Sequence, residues 1–258
     1  MRVVDLDRDM SDVIPTGATR DSQFLFERMT EVSLDLLEPG PGRWLLDVAS
    51  GFGQDAVALA RRGARVVALE PSARMTNWAR SVAASDAPSW VRGWSDALPF
   101  ASERFDGVIC KGAIDHFDRP GEAIAEMARV TRATGRVVLA IANFESLACR
   151  LARFANRCRE LGRKPRRGRR HYDVPADHFT RYDLALMREQ ASRSLELEVV
   201  HGISLGWGLS FWARSVERLP GELARRALQA LDAGARGAPA WADVVVLAGR
   251  PRRSASSR

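Results

Sequence analysis

The groups in this chain most able to do chemistry are a few carboxylates and imidazoles set close to glycines and strand ends. Asp47 lies inside the apolar run Trp44–Val48, and Glu70 follows the apolar run Arg65–Leu69. Between them sits Ala49-Ser50-Gly51-Phe52-Gly53, a turn poor in side chains where a ligand can approach the backbone. An ionised carboxylate at Glu70 can accept hydrogen bonds from both hydroxyls of a diol such as a ribose. An imidazole can take a proton from a hydroxyl or an acidic carbon, so His116, His171 and His178 are candidate bases, and Tyr172 is a candidate to orient an acceptor. A lone histidine is more often structural, so proximity of these groups in the fold has to decide.

The elements around these residues read as strand, turn, helix, strand. Trp44–Val48 is long enough for a buried strand, and Gln54–Arg62 has a helical pattern stopped by Gly63. Arg65–Leu69 is a second strand. A parallel unit of this kind sets the glycine turn and Glu70 side by side at the carboxyl edge of a sheet, where nucleotide-like ligands bind. Two cofactors fit. Gly51-x-Gly53-x-x-Ala56 can be placed on a dinucleotide fingerprint with Glu70 as the ribose acid. The pattern Asp47-x-x-x-Gly51-x-Gly53 offers the other.

That second pattern resembles the first motif of class I S-adenosylmethionine methyltransferases, of the small-molecule, UbiE-like type. In that family the aspartate lies near the methionine end of the cofactor, the glycines let the chain pass close to it, and the acid after the second strand takes the ribose hydroxyls. Ala49 stands where the family usually has a first glycine. Pro71, Ser72 and Met75 match positions flanking the adenine. Gly93–Phe100 (GWSDALPF) resembles a stretch whose aspartate accepts from the adenine amino group. Aligned on Leu98-Pro99-Phe100, that position holds Trp94, with Asp96 two residues later. Either Trp94 packs on the adenine while a backbone group near Ser95 reads its edge, or the loop shifts and Asp96 does so. Lys111–Phe117 resembles the apolar–acid–His–apolar run at the mouth of the transfer site, and Asp177–Tyr182 resembles a histidine-bearing region after the fifth strand.

The resemblance runs from Trp44 to Ala142. It implies a three-layer, Rossmann-like α/β sandwich whose seven-stranded, mostly parallel sheet ends in an antiparallel strand. It further implies S-adenosylmethionine as cofactor, S-adenosylhomocysteine as product, and no metal. Its cofactor-binding positions here are Asp47, Ala49, Gly51, Gly53, Glu70, Pro71, Met75, Trp94, Ser95, Asp96 and Lys111, and Phe24 and Tyr172 are candidates for the acceptor. The chain divides into an N-terminal helical cap (1–43), the cofactor-binding core (44–142), a basic helix and loop (143–193), the last two strands (194–250) and a tail (251–258). Helices are expected over Asp21–Leu37, from Pro71, over Pro120–Val130, Phe144–Leu161, Tyr182–Ala191 and Leu219–Leu231. Trp78 is expected in the core, and Trp241–Ala248 as the last strand.

Charge is concentrated. The chain carries +7 overall, yet Arg150–Arg170 holds ten Lys or Arg and a single acid, so the remainder is slightly acidic. Phe144, Leu147, Leu151, Phe154, Cys158 and Leu161 share one face of this basic helix. Three readings are open: a lid whose apolar face closes the cleft, peripheral contact with an anionic membrane, or phosphate contacts to nucleic acid. Three cysteines without metal-ligand spacing indicate neither a disulfide framework nor a zinc site, and a cytoplasmic protein is expected. No Asp/Asn-Pro-Pro-aromatic run follows the fourth strand, which argues against amino methylation of bases or glutamine. The expected activity is methyl transfer to O or C of a small or lipid-like acceptor. The alternatives are an RNA-directed methyltransferase using 150–170, or a non-catalytic protein that binds the cofactor.

Overall fold

In the computed structural model, the described residues are 19–82, 88–160, 172–173 and 178–252. Five strands run parallel: β1 Trp44–Val48, β2 Arg65–Leu69, β3 Ser89–Val91, β4 Phe105–Lys111 and β5 Thr131–Ala142. Two more, β6 Leu195–Ile203 and β7 Val244–Pro251, form an antiparallel pair, and β7 inserts beside β5. The sheet order is β3-β2-β1-β4-β5-β7-β6. This is the doubly wound α/β arrangement expected from the sequence, with β7 as the antiparallel strand.

Alternation along each strand divides the core in two. Leu46, Val48, Val108, Cys110, Val137, Leu139 and Ile141 face α4 (Pro120–Val130) and α6 (Leu184–Ser194). Leu45, Ile109, Val138 and Ala140 face α1 (Arg20–Asp35) and α2 (Gln54–Arg61). Strands buried on both faces read as continuous apolar runs, which is why β1, β4 and β5 are legible without period-two alternation. Pro120 opens α4 at a position where a missing N–H costs nothing. Asp183 caps α6, its side chain accepting from the Leu186 N–H at 2.8 Å. Such a cap is worth about 1 kcal/mol.

Several boundaries differ from expectation. Pro71 precedes α3 (Ala73–Val82) rather than opening it, and Asp183 is the cap of α6 rather than part of its first turn. The seventh strand begins at Val244, because Pro239–Trp241 forms a short 3-10 turn. Helix α7 (Ser210–Arg218) follows Gly206 and Gly208, whose loop-like lead hides a short amphipathic segment; α8 then runs Gly221–Gly237. Trp78 is 42% exposed and packs edge-on against Phe52 at 4.8 Å, so it is not a core residue.

The most consequential difference is in α5 (Leu147–Glu160). Its buried face is made of small residues, Ala148, Cys149 and Ala152. The large apolar residues point the other way, with Leu151 at 48% and Phe154 at 67% exposure. As a lid the helix would turn its large residues inward; instead it presents them to the outside.

Candidate active site

All five parallel strands end at one edge, and the loops leaving them meet there. Ser50 N–H donates to the Leu69 carbonyl and Glu70 N–H to that of Val91, which levels the first three loops. The turn after β1 is tight. Ala49 has φ 56°, Gly51 54° and Gly53 76°. Ala49 therefore holds the left-handed conformation that favours glycine, at a cost of about 1–2 kcal/mol. At Gly53 even a methyl group is excluded, since a Cβ would lie 2.1 Å from the Trp90 ring.

Glu70 organises this turn. It is only 5% exposed, and its two oxygens accept the N–H groups of Gly51 and Ser72, each at 2.9 Å. Burial raises its pKa, while these two N–H groups pull it back. Each oxygen retains accepting capacity for a further donor. Asp47, at the end of β1, is buried, and its Oδ2 has no hydrogen-bond partner among the described residues. Burial, and then the nearby Asp55, push its carboxyl well above the usual range, with Lys111 opposing them. The Lys111 ammonium is directed to Thr30 Oγ1 (2.6 Å) and Asp55 Oδ1 (2.8 Å), tying α1 to α2. An orphaned buried carboxylate oxygen beside an open glycine turn suits a cationic ligand group, and Glu70 suits its diol.

Asp47→Asn is expected to act in opposite directions on folding and binding. The native state holds the Asp47 proton more tightly than the unfolded chain, so stability falls as pH rises from the ordinary aspartate range to the raised value. Asparagine removes that fall. The free variant should be about 1 kcal/mol or more stabler at pH 8 than the parent in urea unfolding, while binding a cationic ligand more weakly. Equal urea midpoints at pH 8 would contradict the burial cost.

Along the rest of the edge, Met75 is buried and Ser72 Oγ accepts its N–H at 3.2 Å. Pro71 presents its carbonyl to Arg92 at 2.9 Å. Asp96 is engaged by Arg119 at 2.9 Å, whereas Trp94 and Ser95 stay half-buried at the turn. Phe24 faces away, packing with Val216, Ala224 and Leu228 beneath α7 and α8. Tyr172 packs on Cys149 and Ala152, and its hydroxyl accepts from Asn156 at 2.9 Å. Neither is gathered with the glycine turn. His171 lies outside the described residues.

His116 and His178 are brought together. His116 ends the 3-10 turn Ile114–His116 after β4. The segment carrying His178 is pinned there because the Phe179 and Thr180 N–H groups donate to the Asp115 carbonyl (2.8 and 3.2 Å). The rings lie 4.1 Å apart, edge to face. Asp115, 3% exposed, places Oδ2 at 2.9 Å from His178 Nδ1. Asp115 is the acid of the apolar–acid–His–apolar run, but the sequence does not show that it pairs with His178. Its partner is 63 positions away and only the sheet edge unites them.

Residues 46–139 match the family of methyltransferase domains. An uncharacterised methyltransferase of Mycobacterium avium (strain 104) is 40% identical over 102 residues, 40% of either chain. A ubiquinone/menaquinone biosynthesis C-methyltransferase of Roseobacter denitrificans is 35% identical over 136 residues, 50% of this chain and 52% of that one. The chain thus spans between two-fifths and about half the length of these curated relatives. Among solved structures, a methyltransferase in complex with the Haloferax volcanii Trm112 activator shares the fold, with a TM-score of 0.63 and 18% identity over 92% of this chain and 95% of that one.

Proposed function

Because this chain carries a methyltransferase domain over residues 46–139, we propose that it moves a methyl group from S-adenosylmethionine to a carbon or oxygen of a small, lipid-like acceptor. The observation that carries this reading is the pairing, at one sheet edge, of the Asp47 orphaned oxygen with the Glu70-clamped glycine turn. Asp47, Gly51, Gly53, Glu70, Met75 and Trp94 would hold the cofactor, whose sulfonium supplies a methyl group already activated for transfer. The chain's task is then to hold an acceptor atom in line and manage its proton. We read Asp115, His116 and His178, gathered in the loop beyond β4, as the groups for that task.

An apolar acceptor is favoured by α5. Its outward stripe carries Leu151 and Phe154, while Arg150 and Arg153 are engaged by Glu145 at 3.6 and 2.6 Å. The helix begins beside the mouth, where the Phe144 ring lies 6.2 Å from that of His178. We read α5, with the basic residues that follow it, as contacting an anionic lipid surface peripherally. No described helix is long and apolar enough to cross a membrane. Replacing both Leu151 and Phe154 with serine should weaken binding to vesicles containing phosphatidylglycerol at least about 100-fold, each side chain contributing roughly 1.5 kcal/mol or more. Unchanged vesicle binding would remove the membrane contact.

The methyl-transfer reading is tested with S-adenosylmethionine labelled on its methyl group, incubated with the protein and fractionated cell extract. Label should enter the organic-soluble fraction. Label confined to RNA would favour the nucleic-acid alternative, and none in any fraction would favour a non-catalytic binder.

A further inference from the structure

We infer that Asp115, His116 and His178 form a binding site for one divalent first-row transition-metal ion of the zinc type. The donors are two imidazoles and a carboxylate, a set that suits such ions. His178 Nδ1 lies 2.9 Å from Asp115 Oδ2, and His116 Nε2 lies 4.0 Å from Asp115 Oδ1. All three ligand atoms fall within 4.8 Å of one another. Tetrahedral zinc with bonds of about 2.0–2.1 Å separates its donors by roughly 3.3–3.4 Å. The two imidazoles approach different oxygens of the one carboxylate, so rotation of the His116 ring and of the Asp115 carboxylate brings one donor from each residue onto a common ion.

Two features point to a ligand rather than to packing. Asp115 is almost fully buried, yet among the described residues its Oδ1 accepts no hydrogen bond. A buried carboxylate oxygen left without a donor is costly, and a cation removes that cost. The His116 and His178 rings meet edge to face at 4.1 Å, which sets two imidazoles from segments 62 positions apart side by side against one carboxylate. The backbone contributes rigidity, since the Phe179 and Thr180 N–H groups hold the His178 segment against the Asp115 carbonyl. Three protein ligands leave a further coordination position, which catalytic sites give to water or substrate. An acceptor oxygen bound there would lose its proton more readily. That role rests on the methyl-transfer reading; the metal site does not.

The test uses the full chain, stripped of metal by a chelator and titrated with Zn²⁺ by calorimetry and with Co²⁺ by visible absorption. Cys158→Ser is the background throughout, because that thiol is exposed and could bind zinc by itself. One equivalent should bind, and Asp115→Asn and His178→Gln should each weaken binding by about 100-fold or more. S-adenosylhomocysteine titrated into the same variants checks that their folds are intact. Absence of stoichiometric Zn²⁺ binding, or equal binding by the variants, overturns the metal site, and leaves Asp115 and His178 as a close carboxylate–imidazole contact. If S-adenosylhomocysteine binds while metal does not, methyl transfer survives alone. If metal binds and S-adenosylhomocysteine does not, the metal site stands and the cofactor reading falls.

Discussion

Glu70→Ala is expected to weaken S-adenosylhomocysteine binding by at least about 100-fold. The side chain does two things from one buried position. It accepts the Gly51 and Ser72 N–H groups, and so fixes both the glycine turn and the start of the loop after β2. Its remaining lone pairs would accept the ribose hydroxyls of the proposed cofactor. Removing it leaves the Gly51 and Ser72 donors unpaired, which costs stability in the free and the bound protein alike. The loss in affinity comes from the two charge-assisted ribose hydrogen bonds, at about 1.5–3 kcal/mol each, a factor of about 100 or more. Glu70→Gln separates the roles, since a carboxamide keeps one acceptor oxygen and should bind with intermediate affinity. Burial raises the Glu70 pKa, so the carboxylate needed for binding is lost at a higher pH than an exposed glutamate would be. Affinity should therefore begin to fall on acidification above the ordinary glutamate range. Alanine binding as tightly as the parent would place the ribose elsewhere.

His178→Ala is expected to lower kcat about 10²–10³-fold with S-adenosylhomocysteine affinity unchanged. His178 lies beside Asp115 and packs against His116, on the side proposed for the acceptor. Asp115→Ala should cost about as much as His178→Ala. The double variant should cost little more than either, because the residues act as a unit. A fall in cofactor affinity equal to the fall in kcat would mean that the cluster only supports the fold. Additive losses would mean that the two side chains act separately.

The strand, turn and acid proposed to hold the cofactor are legible in the sequence because they are local. One strand, one turn and one helix contain Asp47, Gly51 and Gly53, and Glu70 ends the next strand. Residues within such a unit are placed by hydrogen bonds between neighbouring strands, and apolar runs mark those strands. Ala49 shows the limit of the pattern. Its methyl group departs from glycine, yet the backbone takes the same left-handed turn at a strain cost. The acceptor half was only partly legible. His116 and His178 could be named, but Asp115 gains meaning only when the 178–180 segment folds back onto the β4 loop. Helix α5 was read correctly as amphipathic, but which side is buried depends on what it packs against. Small residues at Cys149 and Ala152 pack on Tyr172, and that side of the helix leaves Leu151 and Phe154 facing outward. Phe24 was misplaced for the same reason, since α7 and α8 cover it.

The most direct measurement is a calorimetric titration of the purified protein with S-adenosylhomocysteine, with NAD in a parallel cell. One equivalent of S-adenosylhomocysteine should bind with micromolar affinity, and NAD should give no heat beyond dilution. A folded protein that binds NAD, or binds neither ligand, would contradict the assignment of Asp47, the glycine turn and Glu70 to S-adenosylmethionine.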